Sequence, residues 1–197
     1  NDFTKAEPVA KQLISLDPNE PTSYHLLGRM YEDVGRYDEA EEMLQKAISL
    51  RPNDALGYAL LAGYYNRQGQ FEKTIEAWKT RAKAEPSNPE AWHTIAVYYF
   101  EKVHRDTAWV KDNRAKALEY VIDGIESENK ALALNAQYFE ALSYKNILLR
   151  QQAYFEKDPA KQKQLLQEAD VLKAKAEDLQ KKQNAAAGQA PQRGRGR

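Results

Sequence analysis

An all-α solenoid of stacked antiparallel helical hairpins is predicted by three features of this 197-residue sequence. Residues 21–54 align with residues 55–88 without a gap, so a pattern returns at a fixed 34-residue interval. Each copy holds two stretches whose apolar residues recur three and four apart, the spacing of one helix face. Glycine separates the two stretches and proline ends the second, as a hairpin of helices requires. A fixed period of this length with two helical halves marks units that bury their apolar faces by stacking on one another.

The first copy carries Tyr24, Leu27, Gly28 and Tyr31, then Gly35, Tyr37, Ala40, Leu44, Ala47, Ile48 and Pro52. The second carries Tyr58, Leu61, Ala62, Tyr65, Gly69, Phe71, Trp78, Ala82 and Pro86 in the same register. Gly28, Ala62 and Ala40 are small enough to let helix axes approach. Gly35 and Gly69 fall where the chain reverses, so positive φ is expected there. "PNDA" and "PSNPEA" supply the turn and the cap of the next helix. Tyr58, Tyr65, Trp78, Trp92 and Tyr99 fall at interior positions, and Tyr64, Tyr98 and Phe100 are extra aromatics.

The "Y-x-x-L-G-x-x-Y" of residues 24–31, with Ala40, Leu44, Ala47 and Pro52, resembles the tetratricopeptide repeat (TPR) family. The resemblance implies a right-handed α-solenoid whose first helices line a concave, protein-binding groove. Thr74 and Arg81 stand where the family has small residues, which predicts looser packing in the second copy.

The domain organisation follows from the repeat. Residues 1–20 read as the second helix of a partial repeat in a longer product, since Phe3 matches Tyr37 and Pro18 matches Pro52. Residues 21–54 and 55–88 are full repeats. Residues 89–136 form an expanded repeat: a first helix at 89–102, an insertion "VHRDTAWVKDN" at 103–113 and a long helix at 113–135. Residues 137–183 form a C-terminal hairpin, with a first helix reaching back to 136. Lys145 and Asn146 replace its expected Leu-Gly pair, so its packing must differ. Its last helix starts at Asp158-Pro159, a cap followed by a first-turn proline. Leu165, Ala169, Leu172, Ala176 and Leu179 give that helix one apolar stripe, as a capping helix needs. Residues 184–197 are a basic low-complexity tail expected to lack structure when free.

Residues 89–180 resemble a group of bacterial TPR proteins that often carry an export or lipoprotein signal. This resemblance implies a cell-envelope location, with the cytoplasm as the alternative.

The composition narrows the function. Lys plus Arg and Asp plus Glu are 29 each. The five cations of residues 181–197 leave a body with five excess acids, so the balance points away from nucleic acid. There is no cysteine, which removes disulfides, thiolate metal sites and cysteine nucleophiles. No apolar run is long enough to span a bilayer. No glycine-rich phosphate loop, His-x-x-x-His pair or nucleophile–base set is present, so no catalytic, cofactor-binding or metal-ligating residues are assigned and a non-enzymatic protein is expected. The acidic cluster Glu32, Asp33, Asp38, Glu39, Glu41 and Glu42 has Arg29, Arg36 and Lys46 nearby and reads as a solvated face.

A protein or peptide, or a further copy of the chain, is the expected partner, rather than a small-molecule substrate. By repeat geometry the partner groove is lined by Thr22, His25, Arg29, Glu32 and Asp33, then Ala59, Gly63, Asn66 and Arg67. Further along come Glu90, His93, Val97 and Glu101, then Ser143, Ile147 and Arg150. His25 and His93 occupy equivalent places and read as groove contacts. Ala59 and Gly63 stand where a carboxylate-clamping TPR domain needs polar groups, which argues against a chaperone's acidic tail. Tyr98, Tyr99, Phe100 and Trp109 concentrate around the insertion, either exposed as a contact patch or folded back and buried. The alternative function is a structural subunit of an assembly, joined through solenoid ends and the tail contacts Arg193, Arg195 and Arg197; a regulatory fragment of an enzyme ranks last.

Overall fold

The structure, a computed structural model, describes residues 3–188. Among the described residues there are ten helices and no strand. They fall into two compact units, residues 1–86 and 87–197. The tail contacts expected at Arg193, Arg195 and Arg197 lie outside the described residues.

In the first unit α1 (Phe3–Leu16) packs on α2 (Pro21–Asp33), which forms a hairpin with α3 (Tyr37–Leu50). Helix α3 then packs on α4 (Ala55–Arg67), the first member of the hairpin completed by α5 (Phe71–Ala84). Side-chain caps start two of these helices: Glu20 accepts from the Thr22 amide and Asp54 from the Leu56 amide. Each hairpin turns on a glycine, Gly35 at φ 78° and Gly69 at φ 70°. Around Gly35 the Arg36 amide donates to the Tyr31 carbonyl at 2.9 Å and the Gly35 amide to the Glu32 carbonyl at 3.0 Å. These two bonds take up the carbonyls that the helix end leaves open. A Cβ on Gly35 would meet nothing within 4 Å, so the obstacle to substitution is backbone conformation alone. Gly35→Val is therefore expected to cost about 1–2 kcal/mol, read as a lowered urea midpoint.

The 34-residue period is repeated in hydrogen bonds. The Tyr24 hydroxyl donates to the Pro18 carbonyl, and the Tyr58 hydroxyl to the Pro52 carbonyl, both at 2.9 Å. Tyr31 donates to the Glu7 carboxylate at 3.0 Å, and Tyr65 to the Glu41 carboxylate at 2.8 Å. Burial first, and the Glu41 bond second, push the Tyr65 phenol up to about 12. Each such tyrosine is tied to the helix or turn that precedes its own helix.

Thr74 is fully buried, and its hydroxyl donates to the Gln70 carbonyl of the previous turn at 3.0 Å. Arg81 lies over the Trp78 ring and pairs with Glu85. Both departures from a small residue are thus absorbed locally. Tyr64 is almost wholly buried, its hydroxyl donating to the Tyr37 carbonyl at 2.8 Å. Tyr58 and Trp92, expected in the interior, are only half-buried.

In the second unit α6 (Pro89–Arg105) runs a turn further than expected and is capped by Asn88, which accepts from the Glu90 amide. The insertion is not a loop. Its first three residues finish α6, and Asp106 caps the short helix α7 (Thr107–Asp112) by accepting from the Trp109 amide at 3.1 Å. Trp109 stacks on Tyr120 of the 21-residue helix α8 (Arg114–Leu134), with the rings 8° apart in plane. The insertion therefore lays Trp109 on α8, while Tyr99 is buried and Tyr98 and Phe100 are half-buried.

Helix α9 (Phe139–Phe155) starts three residues later than expected, because Asn135 to Tyr138 make a turn in which Asn135 accepts from the Gln137 amide. Helix α9 packs on α8 and α6, and α10 (Pro159–Gly188) packs on α9. Lys145 reaches from α9 to Glu168 of α10 at 2.9 Å, which is how the altered Leu-Gly position is used. Ala169 and Ala176 of the predicted stripe are buried, and Leu165, Leu172 and Leu179 are half-buried. Helix α10 continues through residues 184–188, which composition alone places in the unstructured tail.

Candidate partner-binding site

In the first unit the predicted groove residues largely engage one another. Arg67 of α4 grips Glu32 of α2 through two bonds, at 2.7 and 2.8 Å, and Arg29 pairs with Asp33 at 3.3 Å. Four of the unit's predicted charged contacts thus neutralise each other. Thr22 and Asn66 remain exposed, and Ala59 and Gly63 are half-buried. The side chain of His25 is not an open groove contact: its Nε2 is buried without a hydrogen-bond partner. Burial holds the His25 imidazole below its ordinary pKa, with Asp54 and Glu20 partly opposing. The acidic cluster is paired in part, with Arg36 on Glu39 and Lys73 near Glu41.

In the second unit His93 departs further from expectation. Its Nδ1 lies 2.8 Å from Oε1 of Glu128 on α8, and the ring meets Tyr138 and Tyr144 edge-on. Glu128 is fully buried, and its second oxygen, Oε2, has no hydrogen-bond partner. Burial pushes the Glu128 carboxyl up to about 7, and the His93 bond opposes that rise. This pair is a polar joint inside the packing of α6 and α8, not a surface contact. The sequence held a signal for it. Ala117, Val121, Gly124, Glu128 and Ala131 fall on one stripe of α8, so Glu128 takes a core position.

The other predicted residues of this unit have varied surroundings. Glu90 is exposed, Val97 is half-buried, and Glu101 pairs with Arg105. The Ser143 hydroxyl donates to the Phe139 carbonyl of its own helix. Ile147 and Arg150 line an open cleft of about 580 Å³. Val103 and His104 of α6 form one wall, and Thr107, Val110 and Lys111 of α7 form a second. Arg114 opens α8 at the rim, and α9 completes the cleft with Gln151, Tyr154 and Phe155. The expansion of the repeat is therefore what gives the cleft a wall.

His104, Lys111 and Arg114 were not legible as site residues, because the insertion's course had no counterpart in the other repeats. His104 stacks on Phe100. Arg114 donates to the Tyr154 carbonyl at 3.2 Å and lies against the Tyr154 and Phe155 rings. Arg150 donates to Asn146 and pairs with Asp170.

Among the described residues, no three His, Asp or Glu side chains are grouped to hold a metal ion, and no helix is long and apolar enough to cross a membrane.

Comparison with known proteins fits this geometry. The tetratricopeptide repeat family model matches residues 1–64, about a third of the chain and the part that holds the Tyr31–Glu7 anchor. Residues 1–64 are tetratricopeptide repeat sequence. None of the curated proteins matches it in sequence. A crystal structure of MamA is 20% identical, with 93% of this chain and 92% of that chain covered and a TM-score of 0.60. The structure of MamA from residue 41 to its end, from Desulfovibrio magneticus RS-1, is 16% identical. It matches 93% of this chain and 88% of that one, with a TM-score of 0.58. At such identities the likeness speaks for the fold alone. The likeness in all-α fold reaches well past the residues that the family model matches.

Proposed function

We propose that this TPR protein is a non-enzymatic scaffold that holds a segment of a partner protein against the exposed face of its first helices. The observation that carries the reading is the cleft between α6, α7 and α9, where apolar walls and cations lie open side by side. A pocket of this size suits a few side chains of a polypeptide. The buried titratable pair His93–Glu128 is spent on packing and takes no part in the cleft's lining, which gives acid–base chemistry no support there. A photo-crosslinking amino acid at Ile147 is expected to capture a discrete protein adduct in the native host, whereas the same group at exposed Lys163 on α10 is not. Equal capture at both positions, or none at Ile147, contradicts the reading.

A second reading, a structural subunit of a larger assembly, is favoured by α1. Val9, Leu13 and Leu16 lie on one face of that helix and are 57%, 43% and 75% exposed. Under this reading Leu13→Asp lowers the mass measured by light scattering, and an unchanged mass removes it. The envelope location expected from the bacterial resemblance is tested by fractionation of the host cell.

A further inference from the structure

We infer that the cleft of the second unit selects an acidic polypeptide segment in which Asp or Glu stands beside an apolar side chain. This rests on the partner-binding reading and names the chemistry of the partner.

The floor and walls supply the apolar half. Val103, Val110 and Ile147 are aliphatic and line one open space. The rim supplies the charge. Among the described residues, neither Lys111 nor Arg114 forms a salt bridge to a carboxylate. The arginines of the first unit contrast with them, since Arg29, Arg36, Arg51, Arg67 and Arg81 each have an acidic partner. Arg114 is also held in place. One of its nitrogens donates to the Tyr154 carbonyl, and its guanidinium lies 4.9 Å from the Phe155 ring centre. A guanidinium so positioned has N–H groups left for a two-pronged bond to a carboxylate, with little further loss of freedom. Gln151 adds an independent signal. Its Oε1 is buried and accepts no hydrogen bond, and the residue lines the same cleft. Turned outward, the Gln151 amide would offer that oxygen to a peptide N–H laid along α9.

Together these features ask for a carboxylate, a backbone donor and an apolar side chain within one short segment. Nucleic acid fits less well, because two unpaired cations at the rim would neutralise few phosphates.

The test is selection of a random-peptide display library on the full chain. Recovered peptides are then measured by fluorescence anisotropy on the parent and on Lys111→Glu and Arg114→Glu proteins. Lys111 is exposed, so its variant keeps the fold even if loss of the Arg114 ring contacts does not. The expected binders combine Asp or Glu with apolar residues and lose about tenfold or more in affinity on charge reversal. Peptides with their acids changed to Lys should regain affinity for the reversed protein, which a merely structural role for Lys111 would not produce. Binders that lack acids, or that ignore both substitutions, overturn this inference and leave the scaffold reading standing. An oligo(dT) probe that binds the parent through Lys111, with no acidic peptide recovered, also overturns it. Recovery of no binder of either kind overturns the scaffold reading itself.

Discussion

His93→Ala is expected to destabilise the second unit by about 3 kcal/mol well above pH 7, because there it strips a fully buried carboxylate of its partner. The loss should shrink in acid. Burial raises the folded-state Glu128 carboxyl to about 7 from 4.5, so the folded protein binds this proton more tightly than the unfolded chain. The stability from that proton is present in full below pH 4.5 and is lost as pH rises through about 7. A shift of this size corresponds to a few kcal/mol, on the order of 3. Below that range the carboxyl is neutral with or without His93, and removing the imidazole leaves no buried charge. Glu128→Gln should flatten the pH dependence between those limits. Hydrogen exchange of the α6 and α8 amides is the suitable readout, since stacked hairpins open locally. A His93→Ala penalty equal at pH 5 and pH 8 would contradict the buried-carboxylate account.

Gly28→Val is expected to cost the first unit about 2–3 kcal/mol for a different reason, overpacking. A Cβ at Gly28 would sit 3.2 Å from the Ala40 carbonyl oxygen and 3.3 Å from Leu44 Cγ and Met43 Cβ. The nearest obstacle is backbone, which cannot swing away, and valine adds two methyl groups beyond that Cβ. The hairpin α2–α3 would have to part. The φ of Gly28 is ordinary, so the cost differs in kind from that at Gly35, where space is open and conformation is the obstacle. Urea unfolding should therefore rank Gly28→Val as more damaging than Gly35→Val. The reverse order would mean that the turn, not the close approach of helices, limits this hairpin.

The two substitutions mark what was legible. A repeat exposes its rules by stating them twice, so Gly28 opposite Ala62 reads as close packing and Gly35 opposite Gly69 as a turn. The same comparison finds the Tyr24 and Tyr58 positions, though not the carbonyls they meet. It fails where the period fails. Residues 103–113 have no counterpart, so neither the helix α7 nor the cleft it walls followed from the pattern. The ion pairs of the first unit's groove were hidden for another reason. Sequence register placed Glu32 and Arg67 on first helices, but it did not say that they would reach each other at 2.7 Å. The His93 contact was hidden in the same way, because its partner Glu128 lies on α8 and side-chain direction decides the match. Helix α10 outran its expected end because "NAAAG" is low in complexity yet rich in alanine, the strongest helix former.

The most direct test of the central claim is hydrogen exchange of the full chain with and without a peptide recovered by selection. The account predicts slowed exchange in α7, at the C-terminal end of α6 and along the Ile147–Tyr154 stretch of α9, with α1 and the outer part of α10 unchanged. Protection confined to α1 or α10, with the cleft unaffected, would contradict it.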